Sequence, residues 1–191
     1  MNYKERFIEI FESNIKREGA GELLSWLDKT DFFTAPASTK FHLCREGGLC
    51  EHSVNVYECL SERYGSDHSA ETIAVVALLH DLCKAQFYKV STRNQKNEQT
   101  GQWEKVPYYT IEDKFPFGHG EKSVFLIERF MRLKIEEAIA IRWHMGGFDD
   151  AAKAGSFTVS NAYEMYPLAV KLHIADVEAT YLREGKPSDA E

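Results

Sequence analysis

The stretch ALLHDLCK, Ala77 to Lys84, ends an apolar run in an adjacent histidine and aspartate, His80 and Asp81, with Lys84 one turn further on. The residues before it, Ile73 to Leu79, are almost wholly apolar, so the pair is carried toward a core. A buried imidazole and a buried carboxylate are both costly unless something pairs with them. Three more histidines stand in comparable places: His52 near a helix start in GGLCEHSVNV, His119 opening a helix in FPFGHGEKS, and His144 ending one in AIRWHMGG. Helix termini are where several helices can aim side chains at one point. Asp176, in LHIADVEA, adds a second carboxylate, with His173 three residues earlier on roughly the same face. Any one of these histidines alone reads as an isolated hydrogen-bonded residue, but the His-Asp pair has no evident partner. Imidazole nitrogen and carboxylate oxygen together suit Mn, Fe, Zn, Co and Ni. Four neutral imidazoles and two carboxylates can serve two divalent ions if one carboxylate bridges them. Such a pair activates water and clamps the attacking and leaving oxygens of a displacement. Of the remaining histidines, His68 reads as a solvated turn residue and His42 carries no signal.

The elements that must position these residues read mainly as helix. Periodicity predicts helices over Tyr3 to Arg17, Glu22 to Leu27, Leu49 to Tyr64, Thr72 to Leu82, His119 to Phe130 and Ile135 to Trp143, and a last long one from Asn161 to about Leu182. Ser69 is a plausible N-cap, and Gly146-Gly147 a stop. Thr30 to Gly48 reads as loop. Phe87 to Glu112 differs, with β-favouring FYKV and VPYYTI around a polar STRNQKNEQTGQ, which predicts a long hairpin or flap. The tail GKPSDAE reads as frayed.

Composition narrows the function. The 191 residues, 43% hydrophobic and 28% charged, suit one globular domain. A net charge of −7 does not advertise a polynucleotide partner. The four cysteines form no C-x-x-C pair and read as reduced, mostly buried thiols. MNYKERFIEI is not a secretory signal, and no apolar run approaches the ~20 residues of a membrane span, so a cytoplasmic location is expected.

The order His52, His80-Asp81, Asp176 resembles the H…HD…D signature of the HD superfamily. HDLCK is similar to the family's HD-x-x-K, and GGLCEHS and HIADVEA look like its first-histidine and last-aspartate segments. His119 and His144 resemble the extra histidines of its binuclear subgroup. The resemblance covers about residues 40 to 182. It implies an all-α HD-domain bundle over 1–191, with helices of 1–39 packed on the core and a β-hairpin insertion, 87–112, between the HD pair and His119, at the mouth of the site. It also implies that His52, His80, Asp81 and Asp176 hold a first metal, and that His119 and His144 hold a second with Asp81 bridging. One or two ions are expected, of Mn, Fe, Zn, Co or Ni.

By the same resemblance the activity is hydrolysis of a nucleotide or other small phosphate ester through a metal-activated hydroxide, with Asp81 and Lys84 catalytic and Lys84 near the phosphate. Other readings stay open. Part of the binuclear subgroup, such as myo-inositol oxygenase, holds two irons with the same ligands, and an HD domain can be a nucleotide sensor without turnover. GGLCEHS also resembles the HD domain of bacterial 3′-exoribonucleases, but the helical residues before His52 leave no room for the OB-fold those carry. Arg93 and Lys122, with Arg142 as the weakest, are further anion binders to test, and Tyr88, Trp103, Tyr108, Tyr109, Phe117 and Trp143 could stack on a base or belong to the core.

Overall fold

A ten-residue helix that is apolar on nearly every side, Ala70–Leu79, sits at the centre of the structure, with every residue from Thr72 to Leu79 buried. The computed structural model describes residues 2–184. Among them the order is α1 (Tyr3–Asn14), α2 (Ala20–Asp28), α3 (Gly48–Tyr64), α4 (Ala70–Leu79), β1 (Tyr88–Lys96), β2 (Trp103–Ile111), α5 (His119–Glu128), α6 (Ile135–Trp143), α7 (Asp150–Lys153), α8 (Thr158–Met165) and α9 (Pro167–Glu178). The fold is an all-helical bundle with one hairpin inserted between α4 and α5, as expected. Ser69 caps α4, its Oγ accepting from the Thr72 N–H at 3.1 Å. α3 packs on α4, α1 and α9, and α6 on α9, α5 and α4. Buried apolar residues from Phe7 to Ala179 form one continuous cluster.

Opposite the C-terminal ends of α4 and α6, a buried polar network ties three elements together. Glu137, fully buried at the start of α6, accepts from Arg17 Nη1 at 2.7 Å, Arg17 Nη2 at 3.0 Å and Thr72 Oγ1 at 2.9 Å. This explains why α1 stops at Asn14, short of Arg17: Ile15 turns extended and Arg17 reaches across to Glu137 and Glu71.

Two other elements depart from expectation. The last helix is two, broken where Tyr166 (φ −130°, ψ 84°) precedes Pro167, because the proline ring disfavours helical geometry in the residue before it. Beyond Glu178 the chain continues as a wider π-turn, Ala179–Arg183. The hairpin's strands run through the polar Ser91–Lys96, pairing Tyr88 with Ile111 and Lys96 with Trp103, and leave only residues 97–102 as the turn. Most of this ribbon is exposed, so no buried face demands apolar alternation. The GKPSDAE tail lies outside the described residues. Among the described residues no helix is long and apolar enough to cross a membrane.

Candidate metal centre

Each of the six residues arrives at the site from the end or face of a different segment. His52 is in the first turns of α3, His80 is the C-cap of α4, His119 opens α5, His144 is the C-cap of α6, and Asp176 lies in α9. Asp81 has left the helix, with φ −100° and ψ 21°, in a sparsely populated region where many active-site residues sit. A 3₁₀ turn, Leu82–Lys84, then brings Lys84 Nζ within 2.6 Å of Asp81 Oδ2. Gly120 makes the meeting of α5 and α6 possible, since a Cβ there would run into the Arg142 backbone. That approach leaves the His119 and His144 rings with centroids 5.2 Å apart.

The hydrogen bonds fix which nitrogens face inward. His80 Nδ1 donates to the Ala77 carbonyl at 2.8 Å and His144 Nδ1 to the Ile141 carbonyl at 2.7 Å. His52 Nδ1 faces Glu184 Oε1 at 2.9 Å. Carbonyls and carboxylates only accept, so each Nδ1 carries a proton and each ring turns its Nε2 inward. His52 Nε2 and His80 Nε2 face each other at 3.2 Å, and His144 Nε2 is buried without a hydrogen-bond partner.

Asp81 divides its two oxygens among these rings. Its Oδ2 lies 3.5 Å from His80 Nε2 and 3.7 Å from His52 Nε2, while its Oδ1 lies 2.8 Å from His119 Nε2 and 3.5 Å from His144 Nε2. Asp176 Oδ1 is 3.2 Å from His52 Nε2. Within these six residues, three ligand groups able to hold an ion result: His52, His80 and Asp81; Asp81, His119 and His144; and His80, His144 and Asp176. The donor set fits divalent metal, because lone pairs aimed at one another and at a carboxylate call for a cation between them. Without one, protons take that role. Burial lowers the His52 imidazolium, but hydrogen bonds to Asp176 and Glu184 outweigh it and push His52 up to about 10. Burial also lowers His119, yet the Cys83 sulfur and Asp81 push it up to about 10. For His80, burial outweighs the pull of Asp81 and Asp176 and holds it down to about 3. Asp81 is held well below the usual carboxylate range: burial raises it, and Lys84 and His80 more than reverse that.

A cavity of about 750 Å³ opens onto this cluster, with His52, Asp81, Lys84 and Asp176 in its lining. Its walls bring in residues the sequence left unassigned: Lys40, Phe41 and His42 from the loop before α3, Phe148 and Lys153 around α7, and Tyr181 after α9. Neither Arg93 nor Lys122 lines it. Arg93 lies on the exposed face of β1 over Tyr108, and the buried Lys122 pairs with Asp113 at 2.7 Å. Arg142 is bound to Asp149 at 2.8 Å and stacks on Trp143, which is buried. The hairpin is also absent from the lining; Tyr88, at the start of β1, donates its hydroxyl to the Ala37 carbonyl. Tyr88, Trp103, Tyr108, Tyr109, Phe117 and Trp143 do not line the cavity either. His68 is not solvated but half-buried, 3.3 Å from Lys171 Nζ. His173 donates from Nδ1 to the His144 carbonyl at 2.6 Å, which steadies the end of α6.

The family model of the HD domain matches residues 49–181. The chain belongs to the HD-domain family. The match contains all six clustered residues and Lys84, whereas His42 and Glu184 lie outside it. HD domains bind divalent metals and form a superfamily of metal-dependent phosphohydrolases, and this HD domain carries a His and Asp cluster able to hold metal. No curated protein and no solved structure matches the chain.

Proposed function

We propose that this HD domain is a metal-dependent phosphohydrolase acting on a nucleotide or another small phosphate ester. One observation carries the reading: Asp81 turns Oδ2 to His52 and His80 and Oδ1 to His119 and His144. A carboxylate shared in this way suits a bridge between two ions, with His52, His80 and Asp176 on one side and His119 and His144 on the other. Bound there, the ions would supply an activated water and neutralise charge on the phosphoryl and leaving oxygens.

The chain's own residues bind and orient the ester. Burial lowers Lys84, but Asp81 raises it above the ordinary lysine value, so it stays a fixed cation in the cavity lining. A preorganised donor of this kind is aimed at charge that develops on a phosphoryl oxygen. Lys40 and Lys153 line the same cavity, so a chain of net charge −7 presents three ammonium groups there. Local positive charge draws in an anion whatever the net charge. Phe41, Phe148 and Tyr181 give the walls apolar area for the rest of the substrate.

The test is orthophosphate release from a panel of nucleoside phosphates and sugar phosphates, using protein loaded in turn with Mn²⁺, Fe²⁺, Co²⁺, Ni²⁺ and Zn²⁺. Metal-dependent release supports the reading. Oxygen uptake with no phosphate released from any member would replace it with the oxidative chemistry of the di-iron members.

A further inference from the structure

The π-turn after α9 brings an acidic residue back to the first metal-ligand histidine. Glu184 is the last described residue, with its backbone N–H on the Ala179 carbonyl at 3.0 Å, the wider closure that marks a π-turn. Arg183 anchors the segment to α3 through Glu58, at 3.2 Å, and through Glu62. Glu184 is thereby turned inward, its carboxylate fully buried. Oε1 accepts from His52 Nδ1 at 2.9 Å and from Asn55 Nδ2 at 3.1 Å, two donors three residues apart on one face of α3. Oε2 and His42 Nε2 are 3.8 Å apart, each buried and without a hydrogen-bond partner.

We propose that Glu184 is a positioning residue for the metal centre: its carboxylate fixes the proton of His52 on Nδ1, aims Nε2 at Asp81 and Asp176, and raises the basicity of that ring toward an ion. A carboxylate that accepts from the outer nitrogen of a ligand histidine does all three. Direct ligation is the poorer reading, because an ion among His42, His52 and Glu184 would need His52 Nδ1, which Glu184 already engages. Asn55 restrains the same oxygen, so the carboxylate cannot swing without breaking two hydrogen bonds. The inference rests on the cluster being a metal centre but not on which ester is cleaved.

The experiment is Co²⁺ titration of the full chain, followed by visible absorption and by metal atoms per chain, for the wild type, Glu184→Ala, Glu184→Gln and the control Glu178→Gln. Glu184→Ala should weaken one Co²⁺ step about 10- to 100-fold and leave any other step unchanged. Glu184→Gln, which keeps an acceptor for His52 but not the charge, should fall between, and Glu178→Gln should match the wild type. Affinity in Glu184→Ala within about twofold of the wild type overturns the proposal. So does a fall in every step together with a lower melting temperature of the metal-free protein, which would make Glu184 merely structural. Loss of a third ion would make it a ligand instead. A wild type that takes up no Co²⁺ would overturn the metal-centre reading itself, an outcome visible before any variant is compared.

Discussion

His52 and His80 face each other through Nε2 atoms 3.2 Å apart, and the Nδ1 of each is already held by another acceptor, Glu184 for the first and the Ala77 carbonyl for the second. Two neutral rings so placed repel, lone pair against lone pair. Either a proton or a metal ion must lie between the rings and the carboxylates beside them. Asp81 and Asp176 flank the pair, so a divalent ion satisfies more of the site than a single proton does.

Asp81 is expected to be the one residue whose loss empties the whole centre. Asp81→Ala removes the carboxylate that faces both histidine pairs, so both ions and all metal-dependent phosphate release should go. His144→Ala should be milder: it removes one ring facing Asp81 Oδ1 and leaves His52, His80, Asp81 and Asp176 to hold one ion per chain. Elemental analysis beside a phosphate-release assay checks both. Full activity in Asp81→Ala would show that chemistry happens elsewhere.

Much of this centre was legible because its residues sit where sequence patterns are strongest. His80, His119 and His144 fall at the ends of helices that periodicity predicts, and Asp81 follows a run too apolar to be anything but core. His42 and Glu184 were not legible. One lies in a loop and the other just past a π-turn, and only the packing of those segments on α3 brings them to His52. Charge alone does not say where Arg93 and Lys122 sit: the first is on an exposed strand and the second is paired with Asp113. The break at Pro167 was visible as a residue but masked by apolar periodicity that continues on both sides of it.

Lys84 should be separable from metal binding. Its Nζ touches Asp81 Oδ2 at 2.6 Å, yet an ammonium cannot ligate an ion. Lys84→Ala is therefore expected to keep its metal while kcat/KM for a phosphate ester falls about 100-fold or more, as when one preorganised donor is removed. Metal counting and steady-state kinetics on the same preparation decide it. Loss of metal from this variant would mean that Lys84 acts by holding Asp81 in place.

At the other end of α4 and α6, Glu137 should matter for stability and not for chemistry. It is fully buried and pairs with Arg17 at 2.7 Å. Removing one partner of a buried ion pair leaves the other uncompensated, at a cost of about 3–5 kcal/mol. Glu137→Ala should accordingly lower the melting temperature by roughly 10 °C while metal stoichiometry stays that of the wild type. A change below about 2 °C would show that Arg17 finds equal compensation from Glu71 or solvent.

Acid and alkali should act on the metal-free protein through different histidines. Burial holds His80 neutral down to about 3 and His42 down to about 4. In the unfolded chain both titrate near about 6.5, so as pH falls below that value the unfolded state takes up protons that the folded state refuses, and stability falls. His52 and His119 work the other way. Burial lowers each, but Asp176 and Glu184 for the first, and Cys83 and Asp81 for the second, push both up to about 10. Their contribution is complete below about 6.5 and is lost as pH rises toward their folded values. Metal displaces those two protons, so its binding strengthens as pH rises. Thermal melts between about pH 5 and about pH 9, with chelator and with saturating Co²⁺, should show a metal-free optimum near about 6.5 and a metal-induced gain that grows on the alkaline side. A gain that is flat or shrinks with pH would mean that His52 and His119 give up no protons to metal, and the six residues would then be a hydrogen-bonded cluster and not a metal centre.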